Sequence, residues 1–319
     1  MDEIKTIPKK TIKEKYNELK EKYKKSKFYK KFEKIISPYL FILPYMIFFI
    51  TFTLTPVILS VILSFLEWDF SEPAKWVGLK NFELIFNKES LTHELFFNSL
   101  KHTFLFVGIQ APVLIIIPLL IALLLNSKLK GTKTQRVLIY FPAILSVTTV
   151  SAIFFVLLDT NIGVINIFAG KEIPWLTEQP YQWISIFIMS TWWGIGGNMI
   201  YYTAGLQNIS KELYEAAEVD GCSRFQKFIH ITIPGLKSTF IYVVIMTILS
   251  TFNVMGQPMM LTPGEESTQV AMQYIYSVAF GGQKFGRAAA MSLIMTVIMA
   301  VFSILSFRLI IKKGDESND

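Results

Sequence analysis

The sequence predicts an all-α, polytopic membrane protein of six transmembrane helices with both termini on the cytoplasmic side. Three observations predict it. Hydrophobic residues make up 52% of the 319 and charged residues only 17%, with a mean hydropathy of +0.44. A water-soluble domain carries about 25% charged residues, so most of this surface does not face water. Six runs of about 20 apolar residues recur along the chain, each long enough to cross a bilayer as a helix. The basic residues gather on alternate connections, which sets an orientation.

The runs lie at 39–65, 103–125, 137–158, 183–206, 239–261 and 288–311. Pro56 falls in the first, Pro112 and Pro118 in the second and Pro142 in the third. Spanning helices tolerate such prolines because neighbouring groups re-satisfy the freed backbone. With the N-terminus inside, the inner connections and tails carry 24 Lys and Arg and the outer connections 7. The inner set includes thirteen Lys in 1–38, then Lys128, Lys130, Lys133 and Arg136, and four basic residues in 207–237. The division expected is a basic cytoplasmic tail (1–38), a six-helix transmembrane domain (39–311) and a short cytoplasmic tail (312–319). No signal peptide is expected, because the Lys-rich start is long and the first apolar run is a full span.

The net charge of +7 comes from the N-terminal tail, with thirteen Lys against six acids. It is no sign of nucleic acid. Within the tail Ile12, Tyr16, Leu19 and Tyr23 recur at helical spacing. Two readings stay open: a basic amphipathic helix on an anionic membrane surface, or a solvated tail that helps orientation. The single cysteine, Cys222, allows no internal disulfide.

The central parts of the six runs carry no Asp, Glu, Lys, Arg or His. Proton relays, ion pathways and voltage sensors need such groups, so a proton-coupled carrier is disfavoured. Sodium coupling through hydroxyls and carbonyls needs no formal charge. His93, His102 and His230 are scattered and read as interfacial residues, with no metal site expected. No H-E-x-x-H helix or G-x-S-x-G elbow occurs. Gly131-Thr132-Lys133-Thr134 lacks the upstream glycine of a phosphate cradle. The chain therefore reads as a non-enzyme, without catalytic residues or a cofactor of its own.

The informative stretch is the inner connection 207–237. Ser210 is a plausible N-cap with Glu212 in the first turn. Leu213, Ala216 and Ala217 give a small apolar face, and Gly221 after Asp220 is a helix stop suited to positive φ. A second short helix follows, with Phe225, Phe228 and Ile229 on its apolar face and Pro234 expected to end it. This helix–turn–helix is too polar to span.

These residues resemble the EAA loop of ATP-binding-cassette (ABC) importer permeases: Glu-Ala-Ala, a glycine six residues after the Glu, nine residues, then Ile-x-Leu-Pro. Glu215-Ala216-Ala217, Gly221 and Ile231-x-Ile233-Pro234 match it, with Ile233 in place of Leu. The likeness covers about 39–311 and is greatest to the carbohydrate branch, the maltose-permease-like family. Trp76-x-Gly78-Leu79-x-Asn81-Phe82, Phe141-Pro142, Tyr274-x-Tyr276-x-x-Ala279-Phe280 and Phe285-Gly286-x-Ala288-Ala289-Ala290 are similar to that branch. Leu261-Thr262-Pro263-Gly264-Glu265 departs from its usual Leu-Thr-x-Gly-Gly-Pro.

The resemblance implies a type I ABC importer permease fold in a bacterial plasma membrane. It implies a permease subunit that moves a sugar or oligosaccharide delivered by an extracellular solute-binding protein. The partners implied are ABC ATPase subunits, which would hold ATP and Mg, and a second permease, expected as a heterodimer. The ATPase-coupling residues implied are Glu215, Ala216, Ala217, Asp220, Gly221, Phe225, Phe228 and Pro234. The substrate-lining positions implied are Ser190, Trp193, Gly194 and Gly197 on the fourth span, and Thr247, Ser250, Thr251 and Val254 on the fifth. Trp192 and Trp193 could stack on a pyranose, and Thr247, Ser250, Thr251 and Asn253 could bond to its hydroxyls; the alternative for each is helix packing. Two further alternatives are a permease for a glycerol-phosphate-like polyol, weakened by the lack of cations in the spans, and an ATP-independent secondary carrier.

Overall fold

The computed structural model describes residues 12–25, 31–32, 34, 37–69, 73–126 and 131–315. Lys128 and Lys130 of the first inner connection, and the ends of both tails, lie outside the described residues. By internal contacts the chain divides into two units, one running to Ile62 and one from Leu63 onward.

In the first unit, α1 (Ile12–Lys25) is a basic helix and α2 (Ser37–Leu63) is apolar throughout. Pro56 sits just after a wide turn at Ile50–Leu54, where Thr55 donates both its N–H and its hydroxyl to the Ile50 carbonyl.

The second unit opens on a hairpin, β1 (Leu66–Glu67) with β2 (Lys75–Trp76), antiparallel with Leu66 opposite Trp76. The short helix α3 (Lys80–Phe86) follows. Buried Asn81 donates to the carbonyls of Ser64 and Leu66 at 2.9 Å each, and Gly78 has φ +60°. The Trp-x-Gly-Leu-x-Asn-Phe signature is thus a folded turn tied to the Ser64 and Leu66 carbonyls. α4 (Leu91–Asn126) runs for 36 residues, about 54 Å at 1.5 Å per residue. That exceeds a bilayer core of ~30 Å. Its first turns carry His93, Glu94, Lys101 and His102, so they stand beyond the apolar layer.

The third apolar run is not one straight helix. α5 (Thr132–Ile144) and α6 (Val147–Leu157) meet at 98°. α5 tightens into a 3-10 turn at Phe141–Ile144, and Ser146 caps α6 by accepting from the Thr149 N–H at 3.1 Å. After α7 (Val164–Ala169) comes α8 (Tyr181–Gln207), 27 residues long and packed most extensively on α4.

α9 (Lys211–Val219) and α10 (Arg224–Gly235) form the inner hairpin. α10 bends by 61° into α11 (Lys237–Phe252). The helix of the fifth run ends at Phe252, not at residue 261. Asn253–Met255 break it before α12 (Gly256–Leu261), so Val254 lies beyond the helix. α13 (Ala271–Tyr276) leads to the last helix, α14 (Phe285–Asp315).

Among the described residues three helices, α2, α4 and α14, are long and apolar enough to cross a membrane, and the bent pairs α5–α6 and α10–α11 bring that to five. α8 has the length but a more polar composition, and its Gly194, Gly196 and Gly205 meet Leu114, Ile139 and Thr239 of other helices. An added Cβ at Gly196 would stand 2.6 Å from the Ile139 carbonyl oxygen, so the backbones of α5 and α8 approach there closely. Ala288, Ala289 and Ala290 are buried where α14 packs on its neighbours.

Candidate functional site

Two regions hold the residues singled out by sequence. The first is the inner hairpin. Ser210 accepts from the Glu212 N–H at 3.2 Å and so caps α9. At the other end Gly221 has φ +75°, with Cys222 N–H to Ala217 O at 2.8 Å and Gly221 N–H to Glu218 O at 3.1 Å. This pair of bonds is a Schellman termination. Nothing lies within 4 Å of where a Cβ at Gly221 would stand, so the left-handed backbone, not crowding, calls for glycine. Ser223 and Gln226 make a reciprocal capping box on α10, which satisfies two N–H groups at once.

Two side-chain links hold the helices to each other. Lys227 meets Glu218 at 2.7 Å, and the Tyr214 hydroxyl meets buried Thr232 Oγ1 at 2.8 Å. The inward side of α9 is therefore Tyr214 and Ala217. Of the apolar face expected from Leu213, Ala216 and Ala217, Leu213 and Ala216 are exposed, and Tyr214 takes the inward position. Pro234 does not end α10. A wide turn at Phe228–Thr232 lets the helix run through the proline to Gly235, and Leu236 N–H bonds Thr232 O at 3.0 Å. Phe228 is half-buried, whereas Phe225 is 70% and Val219 89% exposed. Glu215, Asp220 and Gly221 are exposed too. The hairpin presents an apolar and acidic surface that none of the other described residues covers.

The second region is the middle of α8 and α11. Pro118 has no N–H to donate to the Leu114 carbonyl four residues earlier. Asn198 Nδ2 reaches that carbonyl at 2.7 Å and also donates to Thr247 Oγ1 at 2.9 Å. One amide so ties α4, α8 and α11. Thr251 is buried and donates to its own helix, to Thr247 O at 2.8 Å. Ser190 is buried with its hydroxyl unpartnered, and Val254 is buried in an apolar cluster with Phe106 and Met189. The Trp193 indole N–H donates to Leu145 O at 3.1 Å, in the break between α5 and α6. A Cβ at Gly194 would stand 2.9 Å from Leu114 Cδ2.

Of the eight lining positions, Gly197 faces open space and Ser250 is exposed, its hydroxyl donating to Thr247 O at 3.0 Å; the other six are buried or half-buried. Beside these two lies a stripe of which the sequence pointed only to Ser250 and Asn253. Tyr242, Met246 and Ser250 along one face of α11, and Asn253 just past its end, are all exposed. Tyr201 on α8 meets Tyr242 edge-on at 5.0 Å. The i, i+4, i+8, i+11 spacing of the four was the available signal. Hydroxyls and an amide on a face at membrane depth suit water or protein, not lipid tails.

The histidines each bond a backbone carbonyl: His93 to Ile85 O, His102 to Gln269 O and His230 to Gln226 O. On the far side of α6 the N–H groups of Ile162 and Asn161 hold the Asp159 carboxyl below its usual pKa.

Known proteins give these two regions a context. The family model for the binding-protein-dependent transport system inner membrane component matches residues 91–310. The probable ABC transporter permease protein YesP of Bacillus subtilis is 33% identical over 282 residues, covering 86% of this chain and 90% of the relative. The arabinooligosaccharides transport system permease protein AraP of the same organism is 30% identical over 288 residues, covering 87% and 90%. Among solved structures, a bacterial alginate ABC transporter in complex with alginate pentasaccharide-bound periplasmic protein aligns with TM-score 0.76 at 22% identity, over 88% of this chain and 96% of that one. This last likeness concerns the fold.

Proposed function

The chain belongs to the family of binding-protein-dependent transport system inner membrane components, as a multi-pass membrane permease and not an enzyme, and on that premise we propose that its cargo is a sugar or oligosaccharide. Relatives named for arabinooligosaccharide transport support the cargo class. The protein crosses the membrane six times, α8 included, with both termini inside. The 24-to-7 distribution of basic residues supports that orientation.

The single observation that carries the mechanism is the inner hairpin. Its caps, its Schellman stop and its two cross-links make it rigid, and its exposed Val219 and Phe225 lack a cover. It is the seat of a separate ABC ATPase, which holds ATP and Mg. Glu215 meets a cation there, while Ala216, Ala217, Asp220 and Gly221 allow close approach. Phe225 is the apolar anchor, half-buried Phe228 supports α10 from within, and exposed Pro234 lies in its last turn. Closure of two ATPases swings the hairpins as rigid bodies, and α10 passes the motion directly into α11 through the 61° bend. The opposite partners are a second permease, as a heterodimer, and an extracellular solute-binding protein that hands over the cargo.

The cargo passes along α8 and α11. Gly197 and Ser250 line the path, joined by Tyr201, Tyr242 and Asn253. An aromatic pair offers faces to the apolar side of a pyranose, and the amide and hydroxyls bond its edges. Ser190, Trp193, Gly194, Thr247, Thr251 and Val254 shape the lining from behind.

Vesicles holding this chain, its partner permease and the ATPase test the reading. Saccharide uptake should require ATP and the loaded binding protein. Uptake that persists without ATP and follows a proton gradient would place the chain among secondary carriers instead.

A further inference from the structure

The N-terminal helix α1 is unused by the transport mechanism, yet its side chains are sorted in a pattern with a physical meaning. At about 100° of rotation per residue, Ile12, Tyr16 and Leu19 fall within roughly 60° of one another on one face. Ile12 is 89%, Tyr16 63% and Leu19 58% exposed, so these apolar groups project from the helix.

The charges are sorted too. Lys13 and Lys20 lie on one flank of the apolar stripe, and Lys15 and Lys22 on the other, each flank about 60–100° from its centre. Glu14, Glu18 and Glu21 lie on the opposite side of the helix, roughly 170–230° from the stripe's centre. Lys25 shares that outer side by spacing, and Glu18 with Lys22 and Glu21 with Lys25 stand at i, i+4, where such pairs support a helix in water; what water does not call for is an exposed apolar stripe with lysines on both flanks.

A membrane surface accounts for the stripe and its basic flanks. A helix lying in the interface buries its apolar stripe among the acyl chains. Lysines at the boundary extend along the headgroups to the phosphates, and acids on the outer pole stay in water. The excess of thirteen Lys over six acids in the tail adds attraction to an anionic leaflet. The chain also fixes the distance. Eleven residues separate Lys25 from Ser37, where α2 begins, a reach of at most about 40 Å, so the helix is always within reach of the bilayer that α2 enters.

We propose that α1 docks on the anionic phospholipid headgroups of the cytoplasmic leaflet, apolar stripe inward and flanking lysines on phosphates. The cytoplasmic side rests on the orientation proposed above.

The test uses the full chain in lipid vesicles. Leu19→Cys in a Cys222→Ser background carries an environment-sensitive fluorophore, in phosphatidylcholine alone or with added phosphatidylglycerol. With anionic lipid, the emission should shift to the blue and be quenched by lipids bearing a spin label on the acyl chain. In neutral lipid both effects should be much weaker. Lys13→Glu with Lys20→Glu should lower the quenched fraction several-fold, as should Tyr16→Glu. Equal burial in neutral and anionic vesicles, unaltered by the lysine changes, would mean that the stripe packs on protein and would overturn the proposal. A water-exposed probe in both lipids would overturn it as well. The otherwise unaltered chain, labelled at Cys222, marks the side of the inner hairpin. A probe at position 19 reached by an impermeant reductant from the opposite side would contradict the orientation, not the lipid chemistry.

Discussion

The inner hairpin of α9 and α10 and the midplane of α8 and α11 differ in how much surface they leave for a partner. In the hairpin the polar backbone ends are closed locally, by Ser210, Gly221 and the Ser223–Gln226 box, and Phe225 and Val219 remain exposed. At the midplane the polar side chains are mostly engaged by other helices. Asn198 answers the carbonyl left open by Pro118, and Trp193 answers Leu145. A surface that must grip a second protein is built from local rules and left bare. A surface that must pass a cargo is first a packed interior, and only its rim stays open.

Four substitutions sharpen that contrast, from the largest effect down. Gly221→Pro forces φ near −65° where the chain needs +75°. It should dismantle the hairpin's turn at a cost of more than about 3 kcal/mol and abolish coupled uptake, while the chain still inserts; Gly221→Ala should cost only about 1 kcal/mol. Normal uptake by the proline variant would show the turn to be incidental.

Phe225→Asp should leave thermal stability unchanged, since the ring is 70% exposed. It should weaken retention of the ATPase about tenfold or more, if the ring is worth roughly 2 kcal/mol when covered. A fall in Tm with normal ATPase retention would invert the assignment.

Asn198→Leu is the midplane counterpart. It strands the Leu114 carbonyl and should destabilise the chain by about 1–3 kcal/mol, read as a lower Tm in detergent. An unchanged Tm would mean that water or relaxation replaces the amide. The smallest effect belongs to the rim. Ser250→Ala should leave Tm alone and alter the KM for uptake by a few-fold, as loss of a hydrogen bond of about 1 kcal/mol would. Uptake identical to that of the unmodified chain would remove Ser250 from the path.

The contrast also explains what was legible in the sequence. The hairpin obeys rules of short range: a cap at Ser210, a left-handed stop at Gly221, Glu215-Ala216-Ala217 between them. The midplane does not. Pro118 announces an open carbonyl, but not that Asn198, 84 residues away, will fill it. Trp193 looks like a stacking platform until its N–H is found on Leu145. The breaks at Ser146 and Asn253 were hidden because apolar content continues across them, although Ser146 carried a cap signal. Leu213 faces outward because Tyr214 finds Thr232 on a helix that the local pattern of α9 does not mention.

The central claim is that the inner hairpin transmits ATP hydrolysis to the cargo path. The direct measurement is ATP hydrolysis by the purified assembly, with and without cargo-loaded binding protein, for the unmodified chain and for Glu215→Lys. Glu215 is exposed and takes part in no link within the hairpin, so its reversal should leave the fold intact. The account predicts that the variant either loses its ATPase or hydrolyses ATP at a rate that the loaded binding protein no longer raises. Full stimulation together with full uptake in the Glu215→Lys assembly would contradict it.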